Sequence, residues 1–125
     1  MSAILVVDDS KVMREMVIAC LRALPGSHFT QASSGLEAIE RLSLNNYAAM
    51  VLDLNMPEID GFGFLDTFRS LPKKIVDKSK IVVLTSSNSA KDREQAFAFS
   101  NVVQFITKPL KQSDIDDLKK LLSKN

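Results

Sequence analysis

The sequence predicts a doubly wound α/β domain: five parallel strands in one sheet, with helices on both faces. Two observations carry this. Apolar runs at 3–7, 48–52, 81–84 and 102–106 are each too short for a helix and suit strands of a covered parallel sheet, and a further, more polar strand is read over 28–32. Stretches with apolar residues at helical spacing alternate with them, and alternation of this kind specifies the α/β class. The 125 residues are 46% apolar, enough for one domain with its own core.

The first strand ends at Asp8-Asp9, and Ser10 is placed to cap a helix over 11–24 with Met13, Met16, Val17, Cys20, Leu21 and Leu24 as its inward stripe. Cys20 is read as a small core side chain. Pro25-Gly26 ends that helix. After the second strand, Ser34-Gly35-Leu36-Glu37 has the form of a capping box, opening a helix with Leu36, Ile39 and Leu42 inward. The third strand ends at Asp53, and Pro57 and Gly61 force a loop before Phe62, Leu65, Phe68 and Leu71 recur at helical spacing until Pro72. The fourth strand ends at Thr85-Ser86-Ser87, and Ser89 to Asp92 forms another box. The fifth strand ends at Thr107-Lys108-Pro109. Ser113 is read as the cap of a last helix carrying Ile115, Leu118 and Leu122.

Composition narrows the function. A net charge of +1 gives no global field, which argues against a nucleic-acid or membrane-surface partner. The lone Cys20 excludes an internal disulfide, and no amino-terminal run has the pattern of a signal peptide or a spanning helix, so a cytoplasmic protein is expected. His28 falls at the opposite end of its strand from the others' functional residues and is read as a surface or packing residue.

In a doubly wound sheet ligands bind beyond the carboxyl ends of the strands. Those ends collect Asp8, Asp9, Asp53, Thr85 and Lys108. Two carboxylates about 4 Å apart repel by roughly 4 kcal/mol at an effective dielectric of 20, so the cluster needs an offsetting charge. A set of hard oxygen donors, with no His or Cys nearby in sequence, suits Mg²⁺ holding several waters rather than zinc. A divalent ion, a lysine and a hydroxyl around one carboxylate can stabilise a transferring phosphoryl group. Asp53 would then be the nucleophile, giving an acyl phosphate.

The set Val7-Asp8-Asp9-Ser10, Leu52-Asp53-Leu54-Asn55-Met56-Pro57 with Asp60-Gly61, Leu84-Thr85-Ser86 and Phe105-Ile106-Thr107-Lys108-Pro109 resembles the receiver domain of two-component response regulators. The resemblance covers nearly the whole chain, from just before the first strand into the last helix. It most resembles stand-alone, chemotaxis-type regulators. It implies the flavodoxin-like (βα)5 fold with strand order 2-1-3-4-5 across a single domain, residues 1–125. It also implies that Asp53 accepts a phosphoryl group from a histidine kinase or phosphotransfer domain. Asp9 would bind Mg²⁺ directly, Asp8 would orient a metal-bound water, and the Asn55 carbonyl would complete the metal site. Lys108 would pair with phosphoryl oxygens. Thr85 would turn toward them and vacate space for Phe105, the aromatic switch position. The surface of the helix after strand four, strand five and the last helix would then change for a downstream effector. Positions 55 and 87, here Asn55 and Ser87, would influence how long the phosphoryl group persists.

There are departures. Asn101-Val102 replaces a common Gly-Ala pair, and the span from Thr85 to Lys108 is one residue longer than is common, which bears on the shape of the helix after strand four. Phe105 lacks the hydroxyl of the commoner Tyr, so the ring is expected to favour a buried position. Phe97 and Phe99 lie two apart, about 200° on a helix, so both cannot face one core and one is expected to be exposed. A haloacid-dehalogenase-like phosphatase would share the chemistry, but that class wants a second Asp where this chain has Asn55, and a cap for which 125 residues leave no room. A phosphorylation-independent scaffold would keep the fold alone. No DNA-binding segment is expected after the last helix, and a monomer or weak dimer is anticipated.

Overall fold

A computed structural model describes residues 2–22, 27–53, 61–77, 79–86, 89–108 and 110–123. Five strands, β1 (Ser2–Val7), β2 (Ser27–Ala32), β3 (Ala49–Asp53), β4 (Lys80–Thr85) and β5 (Val102–Thr107), form one parallel sheet in the order β2-β1-β3-β4-β5. Among the described residues six helices accompany it: α1 (Lys11–Leu21), α2 (Gly35–Leu44), α3 (Gly61–Arg69), α4 (Lys73–Val76), α5 (Ala90–Phe97) and α6 (Gln112–Ser123).

The two-residue period of each strand divides the core into two layers. Leu5, Val7, Met50, Leu52, Ile81 and Val83 pack beneath Ala38 and Leu42 of α2, Phe64, Leu65 and Phe68 of α3, and Ala96 of α5. Ile4, Val6, Ala49, Val51, Val82 and Leu84 pack beneath Val17, Ile18 and Leu21 of α1 and Leu118 of α6. Covered on both faces, β3 is buried throughout, which is why it reads as a continuous apolar run. The edge strands β2 and β5 are only partly buried.

Local signals hold at the starts of α1, α2 and α5. The Ser10, Ser34 and Ser89 hydroxyls accept from the N–H groups of Met13, Glu37 and Asp92, the bonds expected of N-caps. The Glu37 carboxylate returns not to the cap residue but one position earlier, accepting from the Ser33 N–H at 3.3 Å and its hydroxyl at 3.0 Å.

Several expectations need correction. Ser113 is the second residue of α6, not its cap; Asp114 serves the start instead, accepting from the Lys111 N–H at 3.0 Å. Met16 is exposed and Cys20 only half-buried, because α1 sits on the sheet through Val17, Ile18 and Leu21, a face rotated from the stripe read in sequence. Leu36 is 60% exposed, because the first turn of α2 overhangs the strand ends and Ala38 and Leu42 take the core. Leu24, Pro25, Gly26, Pro57, Ser87 and Pro109 lie outside the described residues. The single turn α4 was not anticipated, being too short to show a period. It follows Pro72, whose carbonyl accepts from Ile75 and Val76, and it lays both of those side chains against the core.

The additional residue between Thr85 and Lys108 has a structural counterpart in β5. Ile81 pairs with Val102 but Val82 with Gln104, so Val103 is a bulge. The bulge reverses the face of everything after it: Val102 and Phe105 both point to the α2–α3–α5 layer, while Val103 and Ile106 point to the α1–α6 layer. At the entry to β5, the Asn101 amide donates to the carbonyls of Val76 at 2.6 Å and Ser79 at 2.9 Å, tying this turn to the end of α4. The α4–β4 connection therefore depends on a side chain 25 residues away in sequence from Val76. Asn101→Ala is expected to cost about 1–2 kcal/mol, read as a lower urea midpoint at unchanged slope, since two carbonyls each lose a hydrogen bond.

Candidate functional site

Asp8 lies one residue past the end of β1 and Asp53 is the last residue of β3. These adjacent strands flank the point where the strand order reverses, and their register sets Val7 opposite Leu52. The two acids are therefore neighbours. Counting along their strands, Asp8 shares the face of Ile4 and Val6, and Asp53 that of Ala49 and Val51, so both belong to the α1–α6 side. The Lys108 ammonium lies 3.5 Å from Asp8 Oδ2 and 3.6 Å from Asp53 Oδ1. Asp9, in the loop, is exposed, and ligand oxygens from Asp8, Asp9 and Asp53 lie within 4.8 Å of one another.

Both Asp8 and Asp53 are almost fully buried, at 4% and 3% exposure. Burial is the largest influence on the Asp8 carboxyl and pushes it above the ordinary carboxylate range. The Ser10 N–H, which donates to Asp8 Oδ1 at 2.9 Å, pulls it down; the Asp53 charge pushes it up; Lys108 pulls it down. The site thus holds more negative charge than Lys108 offsets. Three carboxylates without His or Cys form a hard oxygen donor set, the chemistry that suits Mg²⁺.

Thr85 ends β4 fully buried, and its carbonyl accepts from the Lys108 N–H at 2.7 Å, which fixes the ends of β4 and β5 together. Phe105 is buried in the opposite layer from the carboxylates. Arg93 of α5 places its guanidinium 5.9 Å from the Phe105 ring and 5.2 Å from the Phe97 ring. Phe97 is the exposed aromatic of α5; Phe99 lies beyond the end of that helix, half-buried against the core, with Arg69 over its ring at 5.0 Å. Asn55 lies outside the described residues. The structure therefore brings Asp8, Asp9, Asp53 and Lys108 together, with Thr85 at the adjacent strand end.

Arg14 and Gln31 escape a sequence reading. Arg14 donates through Nη1 to the Asp8 carbonyl at 2.7 Å and through Nε to the Gln31 side-chain oxygen at 2.9 Å. A cation one turn into the helix after an acidic loop is a weak hint of this, and Gln31 carries none.

A fold of this order with an acidic cluster and a lysine at its reversal point defines a phosphoacceptor-type α/β domain. The sequence model of the response regulator receiver domain matches residues 4–120, and the chain belongs to that family, the receiver modules of two-component signalling, which interact with histidine kinases or phosphotransfer proteins. The phosphatase alternative is thereby set aside. The chain is 36% identical over 112 residues to protein-glutamate methylesterase/protein-glutamine glutaminase 2 of Pseudomonas syringae, covering 86% of this chain and 29% of that protein. Among solved structures it is similar to the response regulator TrrA of Thermotoga maritima in complex with Mg²⁺ and BeF (27% identity, TM-score 0.79, 98% and 99% of the two chains covered). It also shares the fold of the chemotaxis protein CheY4 of Vibrio cholerae (24% identity, TM-score 0.83, 98% of each chain covered). The chain spans less than a third of the curated relatives it matches. No described helix is long and apolar enough to cross a membrane.

The charge imbalance has measurable consequences. The folded protein holds the Asp8 proton more tightly than the unfolded chain, so ionising Asp8 costs stability: its contribution declines as pH rises above about 4, the ordinary carboxylate value. In metal-free protein at pH 7, Asp8→Asn is expected to raise stability by about 1 kcal/mol, roughly 3–5 °C in Tm, with the gain shrinking toward pH 4. Lys108→Ala is expected to do the reverse, costing about 2 kcal/mol because two buried carboxylates lose their cation. Thermal unfolding with and without Mg²⁺ checks both: added Mg²⁺ should stabilise the parent more than the Asp8→Asn variant.

Proposed function

We propose that this chain is a Mg²⁺-dependent phosphoacceptor that takes a phosphoryl group on Asp53 from a histidine kinase or phosphotransfer domain and signals by a change in its α5–β5–α6 surface. The observation that carries the reading is the Lys108 ammonium shared between two buried carboxylates at the reversal point of the sheet. The proposal places the protein in the cytoplasm as a monomer or weak dimer.

In the transfer, an Asp53 carboxylate oxygen forms a bond to phosphorus while the bond from phosphorus to the donor's nitrogen breaks, the electron pair leaving with the imidazole. Asp9 would hold Mg²⁺ directly with Asp53 and the Asn55 carbonyl, and Asp8 would orient one of its waters. Bound there, Mg²⁺ would offset the carboxylates and the charge on the transferring phosphoryl oxygens. Lys108, released from part of its pairing with Asp53, turns to those oxygens. Thr85 moves its hydroxyl the same way, and Phe105 shifts into the space it leaves.

Two surface features suit the partners. Val12 and Met16, one turn apart on α1 beside the acidic loop, are exposed at 68% and 49% and offer an apolar seat for a donor helix. On the output side, any movement of Phe105 displaces Arg93, which also covers Phe97, so a change at the site reaches an exposed aromatic within one residue pair.

Incubation with acetyl phosphate, followed by intact mass, tests the reading. One phosphoryl group should be added to the parent only with Mg²⁺, and none to Asp53→Ala. No incorporation by folded, Mg²⁺-binding parent would replace this reading with a phosphorylation-independent scaffold.

A further inference from the structure

The acidic loop is held from several sides. The Asp8 N–H donates to the Ala32 carbonyl at 3.1 Å, its carboxylate accepts from Ser10, and its carbonyl accepts from Arg14. Arg14 is itself anchored, through Nε, to Gln31 on the edge strand β2. One planar fork therefore spans helix α1, the loop and β2, geometry that Lys cannot reproduce. Asp9 itself is exposed, with a ligand oxygen within 4.8 Å of those of Asp8 and Asp53. Because the peptide unit is planar, fixing the Asp8 carbonyl also fixes the Asp9 N–H and Cα, and with them the direction from which the Asp9 side chain starts. The contact of Arg14 with the loop is made at the main chain, on the Asp8 carbonyl.

We propose that Arg14 is a positioning residue for the acidic cluster: by holding the Asp8–Asp9 peptide against β2 it aims the Asp9 carboxylate at the Asp8–Asp53 pair and so sets the metal affinity. This rests on the reading of the cluster as a Mg²⁺ site. Arg14 contacts neither the phosphoryl group nor the metal. Its loss therefore changes how much Mg²⁺ is needed, and not the rate once the site is full.

The test uses the full chain as parent, Arg14→Ala, Arg14→Lys and Gln31→Ala, each first shown to be folded by thermal unfolding. Mg²⁺ binding to the unphosphorylated proteins is measured by calorimetry, and amide exchange at Asp9 and Ser10 is measured without metal. Groups that orient metal ligands typically change affinity by 10–100-fold, so Arg14→Ala should weaken Mg²⁺ about 10-fold. Arg14→Lys, keeping one bond to the carbonyl, and Gln31→Ala, freeing the anchor, should fall between. Asp9 amide exchange should quicken in the same order, and acetyl phosphate incorporation at saturating Mg²⁺ should stay within about 2-fold of the parent. Unchanged Mg²⁺ affinity in folded Arg14→Ala and Gln31→Ala, beside a parent that binds Mg²⁺ and takes up phosphate, would overturn the role of Arg14 alone. A slower rate at saturation with unchanged affinity would overturn it too. A parent that binds no Mg²⁺ would remove the metal-site reading and this inference with it. Should Arg14→Ala not fold, Gln31→Ala and Arg14→Lys carry the same comparison.

Discussion

Two carboxylates side by side, nearly out of contact with water and with the Lys108 ammonium between them, are the constraint around which this domain is built. Burial and mutual repulsion both work against ionisation, and a peptide N–H and Lys108 work for it. The balance is incomplete, which is the physical meaning of a raised Asp8. A site left short of positive charge is one that a cation and an electrophilic phosphorus can each complete. Such an arrangement costs stability locally, and the surrounding sheet must hold it in place.

The sheet does this with its alternation. Neighbouring strands on either side of the order reversal deliver Asp8 and Asp53 on one face. Fully covered strands leave little freedom to slip, since a one-residue shift would exchange the two core layers. Thr85 and Phe105 belong to the other layer, beneath α5. The division gives the molecule two sides, one where charge collects and one of apolar packing, joined at the ends of β4 and β5 by the bond between Thr85 and Lys108. Arg93 lies over both Phe105 of the packed layer and the exposed Phe97.

Side-chain ties and an irregular register are found at both edges of this sheet. The bulge at Val103 sets which side Phe105 and Ile106 face, and Asn101 secures the turn before it by side-chain bonds. On the opposite edge, Gln31 anchors Arg14 to the acidic loop. Central strands have main-chain partners on both sides, whereas edge strands depend on side chains for part of their placement, so variation there changes the site's surroundings while the carboxylates stay where they are.

The sequence by itself determined the strands, their order through the family resemblance, three of the helix caps and the group of Asp8, Asp9, Asp53 and Lys108. Each rests on information local to the chain: a run of apolar residues, a Ser three positions before the N–H that donates to it, an acid placed at the end of a strand or just after it. The tertiary structure decided which residues of an apolar stripe meet the sheet. It left Met16 and Leu36 in solvent, because a helix's contact face depends on how it crosses the strands and where its first turn overhangs them. It also decided the bonds that join distant segments, Asn101 to α4 and Arg14 to the Asp8 carbonyl, and the stacking of Arg93 on two rings. None has a pattern in sequence, because a hydrogen bond to a carbonyl requires only proximity, and every residue carries a carbonyl.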